Sequence, residues 1–159
     1  MWTLMPSPVG DLRIVASGGA ITAIEFSPFR DHDGRPRGDR DDTDPVLVAA
    51  VRQLTAYFER DLKEFDLPLN PAGSDFQKSV WGQLLEIGYG DTASYGEVAK
   101  RLGKSNAASR AVGLANGSNP IPIVIPCHRV IGADGTLTGY AGGVERKQAL
   151  LEIEQDALF

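Results

Sequence analysis

Two prolines interrupt an apolar run that ends at a reactive side chain: Ile121-Pro122-Ile123-Val124-Ile125-Pro126, then Cys127. Each proline deletes a backbone N–H and fixes its own φ, so neither a helix interior nor a central strand can pass through the run. The β-branched residues between them favour an extended, stiff, apolar segment. Cys127 is the only cysteine among 159 residues, and His128 and Arg129 follow it directly. It therefore has no disulfide partner within the chain. A lone cysteine is commonly core filler, but filler does not need two polar, cationic neighbours. Positive or proton-accepting groups beside a thiol ease formation of the thiolate, the nucleophilic form.

Around this run the chain reads as two parts. Residues 2–5, 12–16 and 20–26 alternate as short strands separated by residues 6–10 and by Gly18-Gly19, a meander. Residues 30–44 hold four arginines, six aspartates, two glycines and a proline, and are expected to form a mobile surface loop that buries almost nothing. Asp44-Pro45 opens a helix with Leu47, Val51, Leu54 and Phe58 at helical spacing. Residues 65–69 could add a strand, and Asn70-Pro71-Ala72-Gly73-Ser74 is the best linker. A second helix starts near Ser74 and carries Phe76, Val80, Leu84 and Ile87 on one face. Ser94 caps another, Gly103-Lys104-Ser105 turns the chain, and a third runs over about residues 106–115, built from alanines and Gly113 around Arg110. Two short helices across a tight turn suggest a helix-turn-helix. Residues 133–136 read as a turn between two short strands, followed by a glycine-rich loop and a helix from Val144.

The net charge of −5 is unevenly spread. Residues 1–75 carry 8 Lys+Arg against 13 Asp+Glu, residues 76–147 carry 8 against 5, and the last twelve have 3 acids and no base. A modestly basic central segment is compatible with phosphate contacts. No apolar run approaches the ~20 residues that span a bilayer, and no signal-peptide pattern opens the chain, so a cytoplasmic home is expected. An unpaired cysteine agrees with a reducing compartment.

Pro126-Cys127-His128-Arg129-Val130, preceded by Arg110-Ala111-Val112-Gly113-Leu114-Ala115-Asn116 and Asn119-Pro120, resembles the active-site signature of the O6-alkylguanine-DNA alkyltransferases. The likeness runs from about Phe76 to Glu154, with one extra residue between Tyr95 and Arg110, and more loosely over the N-terminal part. It implies an α+β protein: a small N-terminal α/β, ribonuclease-H-like domain (residues 1–72), then a mostly helical winged helix-turn-helix domain (73–159). It implies irreversible, single-turnover transfer of an alkyl group from O6-alkylguanine in double-stranded DNA to Cys127 after base flipping, with O4-methylthymine left open as a second lesion.

The roles follow from the same resemblance. His128 is the base acting on Cys127 through a water, and Glu154 orients the imidazole. Tyr95 donates toward guanine N3, and Asn119 is the hinge between the helix-turn-helix and the cysteine turn. Arg110 enters the base stack from the minor groove, on a helix where Ala111 and Gly113 permit close approach. Tyr140 and Ala141 line the pocket, Ala141 standing where many relatives have serine. Lys147 lies near the active site. Arg129 is grouped with the base-side positions, a structural pair or backbone bonds being its expected work. No cofactor is expected, since no nucleotide-binding glycine motif follows a strand. No zinc is expected either, since the cysteine ligands of some relatives are absent. A monomer is expected, with cooperativity on DNA open.

Two other readings compete. A cysteine hydrolase uses thiol, imidazole and carboxylate, but its histidine normally comes from a distant part of the chain, whereas His128 adjoins Cys127. A winged-helix regulator or a lesion-binding, non-transferring relative would have no use for the reactive cysteine.

Overall fold

A computed structural model describes residues 1–137, 140 and 142–156, the side chain of Asp156 excepted. The chain divides into two compact units, Met1–Pro71 and Ala72–Phe159. The class is α+β, as expected.

In the first unit β1 (Trp2–Met5), β2 (Leu12–Ser17) and β3 (Ala20–Phe26) form an antiparallel meander in chain order. Asp44 caps α1 (Pro45–Phe58): its Oδ2 accepts from Leu47 N at 3.1 Å, and Pro45 sits where a helix has no use for the missing N–H. Leu47, Ala50, Leu54 and Tyr57, at helical spacing, are fully buried, as are Leu12, Ile14 and Ile21 of the sheet that α1 packs against. Residues 65–69 do not make a strand. They contribute one parallel bridge, Ile21 to Leu69, because Pro68 and Pro71 lack the N–H groups that would extend the ladder.

The segment 30–44 is exposed over nearly its whole length, as expected, but side-chain pairs that the sequence does not disclose hold it to the sheet. Arg37, only 10% exposed, binds Glu25 Oε2 and Asp33 Oδ2 at 2.7 Å each. Arg13, facing Glu25 across β2 and β3, binds it at 2.9 Å and reaches Asp31 at 2.6 Å. Thr3 Oγ1 donates to Asp42 at 2.7 Å, and Arg40 bridges to Trp2. A tally of charges suggests a solvated loop; cross-strand pairing ties it to the sheet and turns one of its charges, Arg37, inward.

In the second unit α2 (Asp75–Leu84) opens on a capping box between Ser74 and Gln77, and α3 (Tyr95–Arg101) on the same device between Ser94 and Glu97. Gly103, at φ +74°, turns the chain into a 3-10 turn at Asn106–Ala108 and then α4 (Ser109–Gly117). The helix expected at 106–115 is thus split into two conformations. A Cβ at Gly96 would lie 2.5 Å from Asn106 Oδ1, so glycine permits this close approach of α3 to the turn. Helix α4 packs on α2 and α3, and Trp81 Nε1 donates to Ala115 O at 2.8 Å.

The run before Cys127 is not an extended rod. Val124 N donates to Pro122 O at 2.9 Å, Ile125 N to Ile121 O at 3.0 Å and Cys127 N to Ile125 O at 2.7 Å, so the chain coils into consecutive tight turns. Ile123 adopts φ +74°, a strained conformation for a β-branched residue. Burial explains the departure: Ile121, Ile123, Val124 and Ile125 are all core residues, and local turns satisfy backbone groups that an isolated buried strand would leave unpaired.

After Cys127, β5 (Val130–Ile131) pairs in parallel with β4 (Ala93–Ser94). The expected turn forms, with Gly135 N donating to Gly132 O and Gly132 N to Thr136 O, both at 2.9 Å. The second flanking strand is not found among the described residues, the partner of β5 being β4. Helix α5 (Val144–Asp156) completes the unit.

Candidate active site

The turns of residues 121–126 end in one more, a 3-10 turn at Cys127–Arg129, which points three consecutive side chains into the interior. Helix α5 supplies their partners: Lys147 and Glu154, two turns apart, both face inward, while Glu152 is exposed and bonds Gln148. The parallel ladder of β4 and β5 brings the start of α3, where Tyr95 lies, beside the residues that follow Cys127.

Glu154 is the hub. Its Oε2 lies 2.6 Å from His128 Nε2, while Arg129 donates from Nε to Oε1 at 2.8 Å and from Nη2 to Oε2 at 3.1 Å. Gly90 N adds a longer bond to Oε1 at 3.3 Å. Burial alone would raise this carboxyl, but the hydrogen bonds from His128 and Arg129 and the Arg129 charge override it and hold it well below the ordinary carboxylate range. An ionised carboxylate only accepts, so His128 Nε2 carries the proton in that contact. Burial in turn lowers the His128 pKa, keeping the ring neutral and leaving Nδ1 with its lone pair. That Nδ1 is buried with no hydrogen-bond partner among the described residues.

Arg129 therefore binds groups of the protein itself. Its Nη1 also donates to Ile87 O at 2.6 Å, and the residue is buried. The geometry gives it the structural pair and the backbone bond also expected of it. A carboxylate buried beside it draws a guanidinium inward.

Cys127 is 4% exposed. Burial pushes its thiol up to about 11, against the nearby Asn119 amide, Lys147 ammonium and Tyr140 hydroxyl, which all favour thiolate. The groups that favour thiolate are not the sequence neighbours His128 and Arg129, which bond Glu154 instead, and desolvation outweighs them. The resting thiol keeps its proton. Lys147, buried, donates from Nζ to Val130 O, and burial lowers its pKa. Tyr140 is buried; Ala141 lies outside the described residues.

Asn119 bridges the turns: its Nδ2 donates to Ile125 O at 2.8 Å and its Oδ1 accepts from Ile121 N at 3.0 Å. On α4, Arg110 and Ala111 lie on the exposed side, together with Leu114, which is 71% exposed. A Cβ at Gly113 would meet the Tyr95 ring at 3.7 Å, an ordinary contact, so nothing inside the unit requires glycine there.

Sequence reasoning did not single out Asn116. It is 1% exposed, and its Nδ2 donates to Cys127 O at 3.3 Å. Its signal was a carboxamide sharing the inward face with Val112 and Ala115 at i, i+3 and i+4 spacing, where a polar group needs a reason.

Chemically, the arrangement is a protonated thiol beside a neutral imidazole whose orientation is fixed by an ionised carboxylate, the grouping that activates a nucleophile on demand. Among the described residues, no three His, Cys, Asp or Glu side chains cluster to hold a metal, and no helix is long and apolar enough to cross a membrane.

Known proteins resemble this chain in sequence and in fold. Residues 1–71 match the family described as 6-O-methylguanine DNA methyltransferase, ribonuclease-like domain, and residues 75–156 match 6-O-methylguanine DNA methyltransferase, DNA binding domain. A methylated-DNA–protein-cysteine methyltransferase of Mycobacterium bovis is 49% identical over 154 residues, covering 94% of this chain and 88% of its own length. The crystal structure of Mycobacterium tuberculosis O6-methylguanine methyltransferase superposes with a TM-score of 0.90 at 47% identity, over 98% of this chain and 93% of that one. The structure of Mycobacterium tuberculosis OGT in complex with DNA gives 0.85 at 46% identity, with the same coverage. With both domains matched and such identity over nearly its whole length, the chain belongs to the 6-O-methylguanine DNA methyltransferase family.

Proposed function

We propose that Cys127 is the acceptor in this protein's DNA repair reaction, taking the alkyl group from guanine O6, with His128 as base and Glu154 as the group that fixes it. The activity belongs to the family: alkyl transfer from damaged DNA to a protein cysteine, once per molecule. The observation that carries the residue assignment is the orphaned His128 Nδ1, a buried lone pair on a ring held at its other nitrogen by Glu154 at 2.6 Å, directly beside Cys127.

The thiol proton passes through a water to Nδ1. Sulfur then forms a bond to the alkyl carbon as the carbon–O6 bond breaks and its electron pair leaves on guanine. Proton donation from Tyr95 toward guanine N3 would assist that departure. A thiol at about 11 is a poor nucleophile until the proton is taken, so reaction depends on the base beside it.

The target base has to leave the duplex, which costs a few kcal/mol and least for a poorly paired lesion. The exposed strip of α4 suits such an extrusion. Arg110 offers a cation, and Ala111 adds little bulk, so the helix backbone can come close to a minor groove. Tyr140 and Ala141 would line the pocket, and Lys147 would act near the thiol. Asn119 would serve as hinge. Action as a monomer without zinc and a cytoplasmic setting complete the reading, with O4-methylthymine left open as a second lesion.

Intact-protein and peptide mass spectrometry after mixing with a duplex containing O6-methylguanine tests it. The expected result is one methyl group per protein, on Cys127, and none in Cys127→Ser. Methylation elsewhere, or release of product with many turnovers, would remove the assignment.

A further inference from the structure

Two buried side-chain atoms near the cysteine lack a partner among the described residues: His128 Nδ1 and Asn116 Oδ1. The Asn116 amide cannot be reversed to remove the second, because its other end meets a carbonyl, Cys127 O, which demands a donor. Both atoms are acceptors. Both belong to side chains attached to the Cys127 carbonyl group, one through the peptide bond and one through a hydrogen bond of 3.3 Å. An unsatisfied acceptor at such depth is costly, and two beside one nucleophile need a shared explanation.

We propose that Asn116 is a positioning residue for the proton relay: its Oδ1 and His128 Nδ1 hold the same water, which accepts from the Cys127 thiol. The inference rests on the reading of Cys127 as acceptor and His128 as base. The count closes. A water has two protons for the two acceptors and a lone pair for the S–H, and three partners is what a buried water ordinarily makes. In the reaction the thiol proton moves to the water, and the water's proton facing the ring moves to Nδ1. The hydrogen bond to Oδ1 remains throughout, so the oxygen stays oriented between sulfur and ring. The products are thiolate and imidazolium, the latter stabilised by the Glu154 carboxylate. Sulfur then bonds to the alkyl carbon while guanine leaves with the electron pair of the broken carbon–O6 bond.

Asn116 also sits on α4, whose opposite face carries Arg110, Ala111 and Leu114. The helix proposed to meet DNA is thereby joined to the relay by a single side chain.

Single-turnover transfer from an O6-methylguanine duplex, followed from about pH 6 to about pH 10 in wild type and Asn116→Leu, separates relay from scaffold. At neutral pH the variant is expected to be about tenfold slower, a part of the roughly 10²–10⁴-fold that a positioned base contributes. The deficit is expected to shrink as hydroxide takes over deprotonation of a thiol placed at about 11. An equal deficit at every pH, or none, would overturn the proposal, since mere support of the cysteine turn has no reason to track pH. A high-resolution crystal structure of the unreacted wild type tests it without any variant. One ordered water within hydrogen-bond distance of both atoms is expected, and separate waters or protein partners overturn the idea. If wild type itself leaves Cys127 unmethylated, the assignment of the acceptor has failed instead.

Discussion

Each unit contains a carboxylate gripped by two nitrogen bases, and the two clusters end differently. Glu25 lies between Arg13 and Arg37, and every guanidinium nitrogen of both arginines has a partner: Glu25, Asp31, Asp33 or the carbonyls of Arg30 and Arg35. Glu154 lies between Arg129 and His128, and one ring nitrogen remains over. Arginine keeps its charge at any ordinary pH, so the first cluster can only hold residues 30–44 against the sheet. Replacing one arginine by histidine makes a base that can be neutral, and leaving one of its nitrogens unpaired gives that base work to do. A network of this kind turns reactive by leaving one site open, not by having more charge.

Glu154→Gln should have the largest effect, and on two observables at once. Arg129 would keep its buried charge without a carboxylate, which costs about 3–5 kcal/mol. His128 would lose the partner that fixes its tautomer, and transfer at neutral pH should slow by roughly 10²–10⁴-fold. Urea unfolding and single-turnover transfer, the latter measured where the variant is folded, check the pair. A large stability loss with an unchanged rate would put Glu154 in the same class as Glu25.

Glu25→Gln is the matching change in the first unit, and a smaller loss of about 1–3 kcal/mol is expected there. Asp31 and Asp33 remain to Arg13 and Arg37, and the Glu25 side chain is 14% exposed, so water takes up part of the lost interaction. The shape of the pH profile for transfer should match wild type. A profile that moves with Glu25 would erase the distinction between the two clusters.

What the sequence discloses follows the range of the interaction. Helix starts are local, and Asp44-Pro45, Ser74 and Ser94 are the caps that spacing expects. The meander also depends on neighbours in the chain. By contrast, Arg13 pairs with Glu25 only once β2 and β3 are in register, and charge counting across residues 30–44 cannot see that. The coil of residues 121–125 is likewise set by burial, which overrides the extended preference of prolines and β-branched residues. At the site, Cys127 and His128, which stand out by type, come together with Glu154, which the resemblance picks out. Asn116 does not stand out, since its meaning lies in a carbonyl contributed from eleven residues further along the chain.

The cysteine site should also have a pH signature that the arginine cluster lacks. Folding raises the Cys127 thiol from an ordinary 9.0 to about 11, with burial as the cause. Between those values the unfolded chain loses its proton and the folded chain keeps it, so the unfolded state binds fewer protons and stability falls as pH rises. Below the lower value the contribution is complete; above the upper one it is gone. Cys127→Ser cannot ionise in this range and should escape that part of the decline, as should protein already alkylated on sulfur. Comparing unfolding free energies near pH 8 and near pH 11, wild type is expected to lose on the order of 1–3 kcal/mol more than either. Parallel curves would mean that the thiol is as well solvated in the fold as out of it. The need for a relay to remove its proton would then vanish, and with it the contrast between a cluster that only binds and one that waits to react.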